Sequence, residues 1–136
     1  MGQRAEAKLI YGLSLGEETP WYDWEDDDSC EDWEDALLEK GGVQDRPYEV
    51  RKAYLETTMN GCTIEMHCTY DDSMYIVAID GARYCVEWGG DKLITPERMA
   101  VKPEWKGMLK AFCEKLDINF DAYEKTLGWH LVAMFG

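Results

Sequence analysis

Apolar and polar residues alternate from Ala7 to Leu15, with Ala7, Leu9, Tyr11, Leu13 and Leu15 on one side and Lys8, Ile10, Gly12 and Ser14 on the other. A two-residue period of this kind predicts a half-buried strand, which Gly16 ends. Glu17 to Asp28 has no clean period and reads as a loop or ribbon exposing Trp21, Tyr22 and Trp24. Ser29 is placed to cap a short helix, with Asp32 as its capping-box acid. On that helix Cys30, Trp33, Ala36, Leu37 and the Lys40 stem share one side, while Glu31, Asp32, Glu34, Asp35 and Glu39 share the other. Gly41-Gly42 stops it.

Asp45 followed by Pro47 starts a second helix, whose stripe of Val50, Ala53 and Tyr54 runs to about Thr57. Asn60-Gly61 is a turn dipeptide. After it Cys62, Ile64, Met66 and Cys68 alternate with Thr63, Glu65, His67 and Thr69 as a strand. Asp71, Asp72 and Ser73 turn the chain into Met74 to Ile79, and Asp80-Gly81 reads as a second tight turn into Arg83 to Trp88, completing a three-stranded meander. Thr95-Pro96-Glu97 caps a helical turn. Pro103 then opens the clearest helix in the chain, with Trp105, Met108, Leu109, Phe112, Cys113 and Leu116 forming one continuous stripe. Gly128 introduces a last strand, on which Trp129, Leu131, Ala133 and Phe135 share a face. Strands and helices without regular alternation predict an α+β fold: one domain over residues 1–136, a mostly antiparallel sheet of about five strands with two to four helices packed on it, and an acidic, Trp-rich insertion at 17–40.

The 136 residues are one domain's worth of chain, and their 46% apolar content with six Trp, eight Tyr and three Phe excludes disorder throughout. No apolar run approaches the ~20 residues of a membrane span, and no basic region followed by a hydrophobic one opens the chain. The expectation is a cytoplasmic protein that does not engage membranes. Charge changes the picture further. Of 28 acidic residues, twelve lie between Glu17 and Glu39, a stretch with no Lys or Arg. The remainder holds 16 acids against 14 bases, so a near-neutral domain carries one intensely negative segment. A concentrated field of this sign speeds association with a basic partner and repels nucleic acid, so direct nucleic-acid binding is not expected.

No catalytic signature is strong. Gly12-Leu13-Ser14-Leu15-Gly16 matches G-x-S-x-G, and His67 and His130 lie downstream, but a nucleophile elbow needs strand, sharp turn and helix, whereas Ser14 sits inside an alternating strand followed by acidic loop. His67 and His130 read as packed or surface strand histidines. No phosphate-binding glycine motif occurs. The five cysteines (Cys30, Cys62, Cys68, Cys85 and Cys113) include no C-x-x-C pair and read as free thiols. A strand places Cys62 and Cys68 roughly 20 Å apart, with His67 pointing the other way, too far apart for one metal ion. Asp23 to Asp28 lacks the ligand spacing and central Gly of a calcium loop. No cofactor is expected.

On the 29–40 helix, Glu31 with Glu34, Glu31 with Asp35, Asp32 with Asp35, and Asp35 with Glu39 are like-charge neighbours, each unfavourable by roughly 0.2–0.5 kcal/mol. Repulsion held in a folded element beside exposed Trp21, Tyr22, Trp24 and Leu38 suits a surface made for a basic groove with apolar contacts. The expected partner-binding residues are Glu17, Glu18, Trp21, Tyr22, Asp23, Trp24, Glu25, Asp26, Asp27, Asp28, Glu31, Asp32, Glu34, Asp35 and Glu39. The bland alternative is a solvated loop that keeps the protein in solution.

Three stretches carry a resemblance: Ala-Lys-Leu-Ile-Tyr-Gly-Leu-Ser-Leu-Gly at 7–16, Met66-His67-Cys68 followed by Ser73-Met74-Tyr75-Ile76-Val77-Ala78, and Gly128-Trp129-His130-Leu131-Val132-Ala133. Together, and in this order, they resemble a group of small, uncharacterised proteins of tailed bacteriophages, whose members more often carry Asp at the position of Ser14. The resemblance implies a phage origin and no site residues. Small acidic phage proteins often block host or defence proteins, some by mimicking nucleic acid as anti-restriction and anti-CRISPR inhibitors do. The expectation is therefore a non-enzymatic inhibitor of a basic nucleic-acid-binding host or defence protein. An interaction or assembly module working through Trp and Tyr is the second reading, and a small hydrolase using Ser14 or His67 the third.

Overall fold

The computed structural model describes residues 5–26, 29, 32–69 and 71–135. Along the chain come β1 (Ala5–Gly16), α1 (Trp33–Lys40), α2 (Tyr48–Met59), β2 (Cys62–Cys68), β3 (Ser73–Glu87), α3 (Pro96–Met99), α4 (Trp105–Lys115), α5 (Phe120–Tyr123), a 3₁₀ turn (Glu124–Thr126) and β4 (Gly128–Phe135). The fold is α+β, with one sheet whose strand order β1-β3-β2-β4 closes into a small barrel. β1 lies antiparallel between β3 and β4, β2 is antiparallel to β3, and the ring closes in parallel where Cys68 meets Met134.

Among the described residues the sheet has four strands where about five were expected, because Asp80-Gly81 does not turn the chain. β3 runs straight through it as a fifteen-residue strand. Its first half pairs with β2 on one side and with Gly12–Gly16 of β1 on the other, and its second half pairs with Glu6–Ile10 of β1. Between these two registers the four residues Ile79 to Ala82 lie opposite Tyr11 alone. The aspartate-glycine pair thus marks a bulge, the other structure that a glycine inside a strand pattern signals. A hairpin there would take Arg83–Glu87 away from β1.

The two faces of the barrel have different linings. Outside, Tyr11, Leu13 and Leu15 of β1, Ile64 of β2 and Val77 of β3 pack with Leu109, Phe112, Cys113 and Leu116 of α4 and with Leu37 of α1. The α4 stripe is the expected one. Inside, Ile10, Ile76, Ala78 and Val132 form a small second cluster. It shares the interior with charge: Glu65 accepts hydrogen bonds from Lys8 and, at 2.6 Å, from Arg83, which also pairs with Asp80. Burial alone would raise the Glu65 carboxyl, and the hydrogen bonds from Lys8 and Arg83 outweigh it and hold the group below its usual range.

Two expectations near the acidic segment are corrected. α1 starts at Trp33, not after Ser29, because the Asp32 carboxylate is itself the cap, accepting from the N–H groups of Glu34 (2.8 Å) and Asp35 (3.3 Å). Trp21 and Leu38 are buried, not exposed. Trp21 lies edge-on to Tyr75 at 5.4 Å, which anchors the start of the insertion on β3. On β4, only Trp129 of the expected apolar face is covered, while Leu131, Ala133 and Phe135 point to solvent.

Candidate functional site: an acidic groove with an exposed tryptophan

Residues 17–26 fold as consecutive turns closed by backbone hydrogen bonds from Glu18 to Leu15 (3.2 Å), Tyr22 to Thr19 (2.9 Å) and Asp26 to Asp23 (3.1 Å). Short polar side chains set these turns locally. The Asp23 carboxylate accepts from the Glu25 N–H at 3.0 Å, and Ser29 Oγ accepts from the Asp23 N–H at 2.8 Å, so Ser29 braces the loop where a helix cap was expected. Held this way, Trp24 is 73% exposed, with the edge of Tyr22 against it at 4.5 Å.

The loop does not stand alone. Glu17, Thr19 and Trp24 face Asp71, Asp72, Ser73 and Tyr75 across a groove of about 290 Å³. The β2–β3 turn that supplies the far wall is fixed by Thr69, whose Oγ1 accepts from the Asp72 N–H and whose carbonyl accepts from Ser73 Oγ, each at 3.0 Å. Three carboxylates therefore line one concavity, with no Lys or Arg among the described residues of its walls. Among the described residues no ion pair reaches Glu17, Asp23, Glu25, Asp71 or Asp72.

The expected site residues divide over the surface. Glu17 and Trp24 meet in the groove, while Tyr22, Asp23, Glu25 and Asp26 lie on the adjoining loop. Glu18 is turned onto the body, where it accepts from the Tyr123 hydroxyl; burial first, and then the Glu18 carboxylate, push that phenol up to about 12. Trp21 is core. Asp32 is committed to capping. Glu34 borders a second groove of about 290 Å³ between α1 and α2, beside Arg51 and Lys52, and burial, reinforced by the Asp32 and Asp35 carboxylates, raises its carboxyl. Asp35 and Glu39 are exposed on α1. Asp27, Asp28 and Glu31, like Cys30, lie outside the described residues.

Asp71, Asp72 and Tyr75 belong to the site but were read only as turn and strand residues. Their relevance depends on a contact between segments some fifty residues apart in sequence, which no local period reports. The doubled aspartate, in a chain whose other acids concentrate at 17–39, is the one sequence signal that could have raised it.

The motif and histidine candidates occupy other places. In the G-x-S-x-G stretch both glycines serve the backbone: a Cβ on Gly12 would lie 1.9 Å from the Val77 carbonyl oxygen, and Gly16 has φ +62°. Ser14 is held through its main chain, its N–H donating to Thr126 Oγ1 at 2.9 Å. No hydrogen bond joins its hydroxyl to a histidine among the described residues. His130 Nε2 donates to the Thr126 carbonyl at 2.7 Å. His67 is buried, and it does not point away from its neighbour as an ideal strand requires: Cys68 has φ +76°, which brings Sγ to 3.0 Å from His67 Nδ1. Burial first, then the nearby His130 and Lys8, lower the His67 pKa. Burial pushes the thiols of Cys62 and Cys113 up to about 11 and about 12, so both are inert core groups. A cavity of about 260 Å³ at the barrel mouth includes Lys8 and Arg83, but both cations are already taken up by Glu65 and Asp80. Among the described residues no group of three or more His, Cys, Asp or Glu is placed to hold a metal ion, and no helix is long and apolar enough to cross a membrane. No family model matches the chain, and no curated protein and no solved structure matches it.

Proposed function

We propose that this chain is a non-enzymatic, phage-encoded inhibitor acting in the host cytoplasm, whose acidic groove occupies the nucleic-acid-binding surface of a basic host or defence protein such as a CRISPR or restriction effector. The observation that carries this reading is Trp24, 73% exposed on the rim of a groove lined by Glu17, Asp71 and Asp72 with no cation among the described residues of its walls. Carboxylates set where phosphates would bind offer charge to Lys and Arg, and the indole supplies the apolar anchor that a charged surface alone lacks. Truncating such an anchor costs about 2 kcal/mol or more, roughly 30-fold in affinity. Complementary charge acts within a Debye length of ~10 Å at 0.1 M salt, so binding through it weakens as salt rises.

Trp24, exposed against the edge of a Tyr22 that is itself half-buried on the core, also supports the second reading, an aromatic interaction module whose binding is indifferent to salt. Hydrolase chemistry draws less support, since the backbone accounts for both glycines of its motif.

Capture from a bacterial lysate on the immobilised chain, with washes of rising salt and mass spectrometry of the eluates, separates the readings. The expected result is a nucleic-acid enzyme held at low salt, released as salt rises, and lost when Glu17→Gln, Asp71→Asn and Asp72→Asn are combined. A partner that survives high salt and ignores the triple change, yet is lost on Trp24→Ala, overturns mimicry and leaves the aromatic module.

A further inference from the structure

Beyond α4 the barrel's outer surface is apolar across three adjacent strands, bordered by the loop of Lys92 and Ile94 and by α3, whose Arg98 and Met99 carbonyls accept from Tyr84 Oη at 3.4 Å and Trp129 Nε1 at 3.0 Å. Leu9 of β1 sits between Tyr84 of β3 and Leu131 of β4, and Ala7 sits between Val86 and Ala133. Ala5 continues the pattern, opposite Phe135 on β4 and bonded through its carbonyl to the Trp88 N–H at 3.0 Å. All three rows are apolar. The alternate positions on the same strand ends include Glu6, Lys8, Arg83 and Glu87, which face the other way. Alternation here is the reverse of that of a strand with one face in water, where polar residues look outward. The face is also continuous with the core, since Tyr11 and Trp129, the next row along, are covered by Trp105 at the start of α4.

Isolated exposed apolar residues need no explanation, but a contiguous sheet face does. Trp88 is 85% exposed, Leu131 77% and Phe135 47%, and Leu93, on the loop bordering the face, 84%. With Ala133 and the largely covered remainder of the rows they leave on the order of 700 Å² per copy, close to the ~800 Å² per partner that a standard interface buries.

We infer that this face is the homodimer interface, packed sheet against sheet on the same face of a second copy across a two-fold axis. The strand positions of the face carry no charge, while Lys92 lines its concavity with Ala7, Leu9, Val86 and Leu131 and the exposed Asp91 precedes it in the chain, so that a two-fold axis can set each opposite its complement. The barrel surfaces then stack about 10 Å apart, as in a sandwich. The face lies at the Ala5 end of β1 and the acidic groove beyond its Gly16 end, so dimerisation leaves both grooves open and makes the assembly bivalent.

Light scattering coupled to size exclusion, and sedimentation of the full chain over a concentration series, test this. The expected mass is twice 15.7 kDa. Leu131→Glu and Trp88→Glu, at sites already in water in the single chain, are expected to keep the far-ultraviolet spectrum and to weaken dimerisation at least ~100-fold, by burying unpaired charge at the centre of the interface. Trp24→Ala is expected to leave the dimer intact. A mass of one chain at every concentration, a dimer unmoved by both glutamate substitutions, or a single chain that associates with neutral phospholipid vesicles overturns the inference.

Discussion

Gly12→Ala is expected to destabilise the fold by at least ~4 kcal/mol, a large fraction of the ~5–15 kcal/mol that a domain of this kind has. The added Cβ would lie 1.9 Å from the carbonyl oxygen of Val77, 2.9 Å from its carbonyl carbon and 3.0 Å from the Cα of Ala78. All three are backbone atoms of a strand held by β1 on one side and β2 on the other, so no rotamer change relieves the contact. Separating β1 from β3 at this point would also open both hydrophobic clusters, because Leu13 and Val77 belong to the outer one and Ile10 and Ala78 to the inner one. Urea unfolding followed by far-ultraviolet circular dichroism measures the effect. Ser14→Ala, two residues along, is expected to stay within ~1 kcal/mol of the parent, since the N–H and carbonyl of Ser14, and not its hydroxyl, bond to Thr126. A Gly12→Ala protein as stable as the parent contradicts the close approach of the two strands.

Phe112→Ala is expected to cost about 3–5 kcal/mol, the range for removing a fully buried aromatic ring. Phe112 is 1% exposed, and the ring of Trp33 meets it nearly at right angles with centroids 5.9 Å apart. Trp33 is the first residue of α1, so this contact ties the acidic segment to α4. Thermal unfolding is expected to shift down by roughly 10 °C or more for a domain of this size. The variant is expected to weaken partner binding too, by loosening the acidic segment at temperatures where the barrel is still folded. A midpoint unchanged from the parent contradicts the placement of Phe112 at the centre of the core.

Much of the fold was legible because local periods coincide with tertiary burial. The α4 stripe faces the core where its 3.6-residue spacing placed it, and β2 spans Cys62–Cys68, where strict alternation ran. What failed depended on partners that a local pattern does not contain. Asp80-Gly81 is a hairpin signal and a bulge signal at once, and only β1, which pairs with both halves of β3, decides between them. Trp21 looked exposed because it stands in an acidic loop, but Tyr75, fifty-four residues away, covers it. Alternation puts Leu131 and Phe135 on one face with Trp129 but does not say how far that face is covered, and α4 covers only its Trp129 end. At the candidate site the sequence supplied the near wall, Glu17 with Trp24, and missed the far wall of Asp71, Asp72 and Tyr75 for the same reason.

Competition tests the central claim most directly. The protein captured from the lysate is purified, bound to the immobilised chain, and challenged with duplex DNA or with the nucleic acid it naturally holds. Mimicry predicts mutually exclusive binding: the nucleic acid displaces the chain, the chain inhibits nucleic-acid binding with a matching constant, and the chain with Glu17→Gln, Asp71→Asn and Asp72→Asn does neither. A stable ternary complex, in which the partner holds nucleic acid and the chain together, would contradict it.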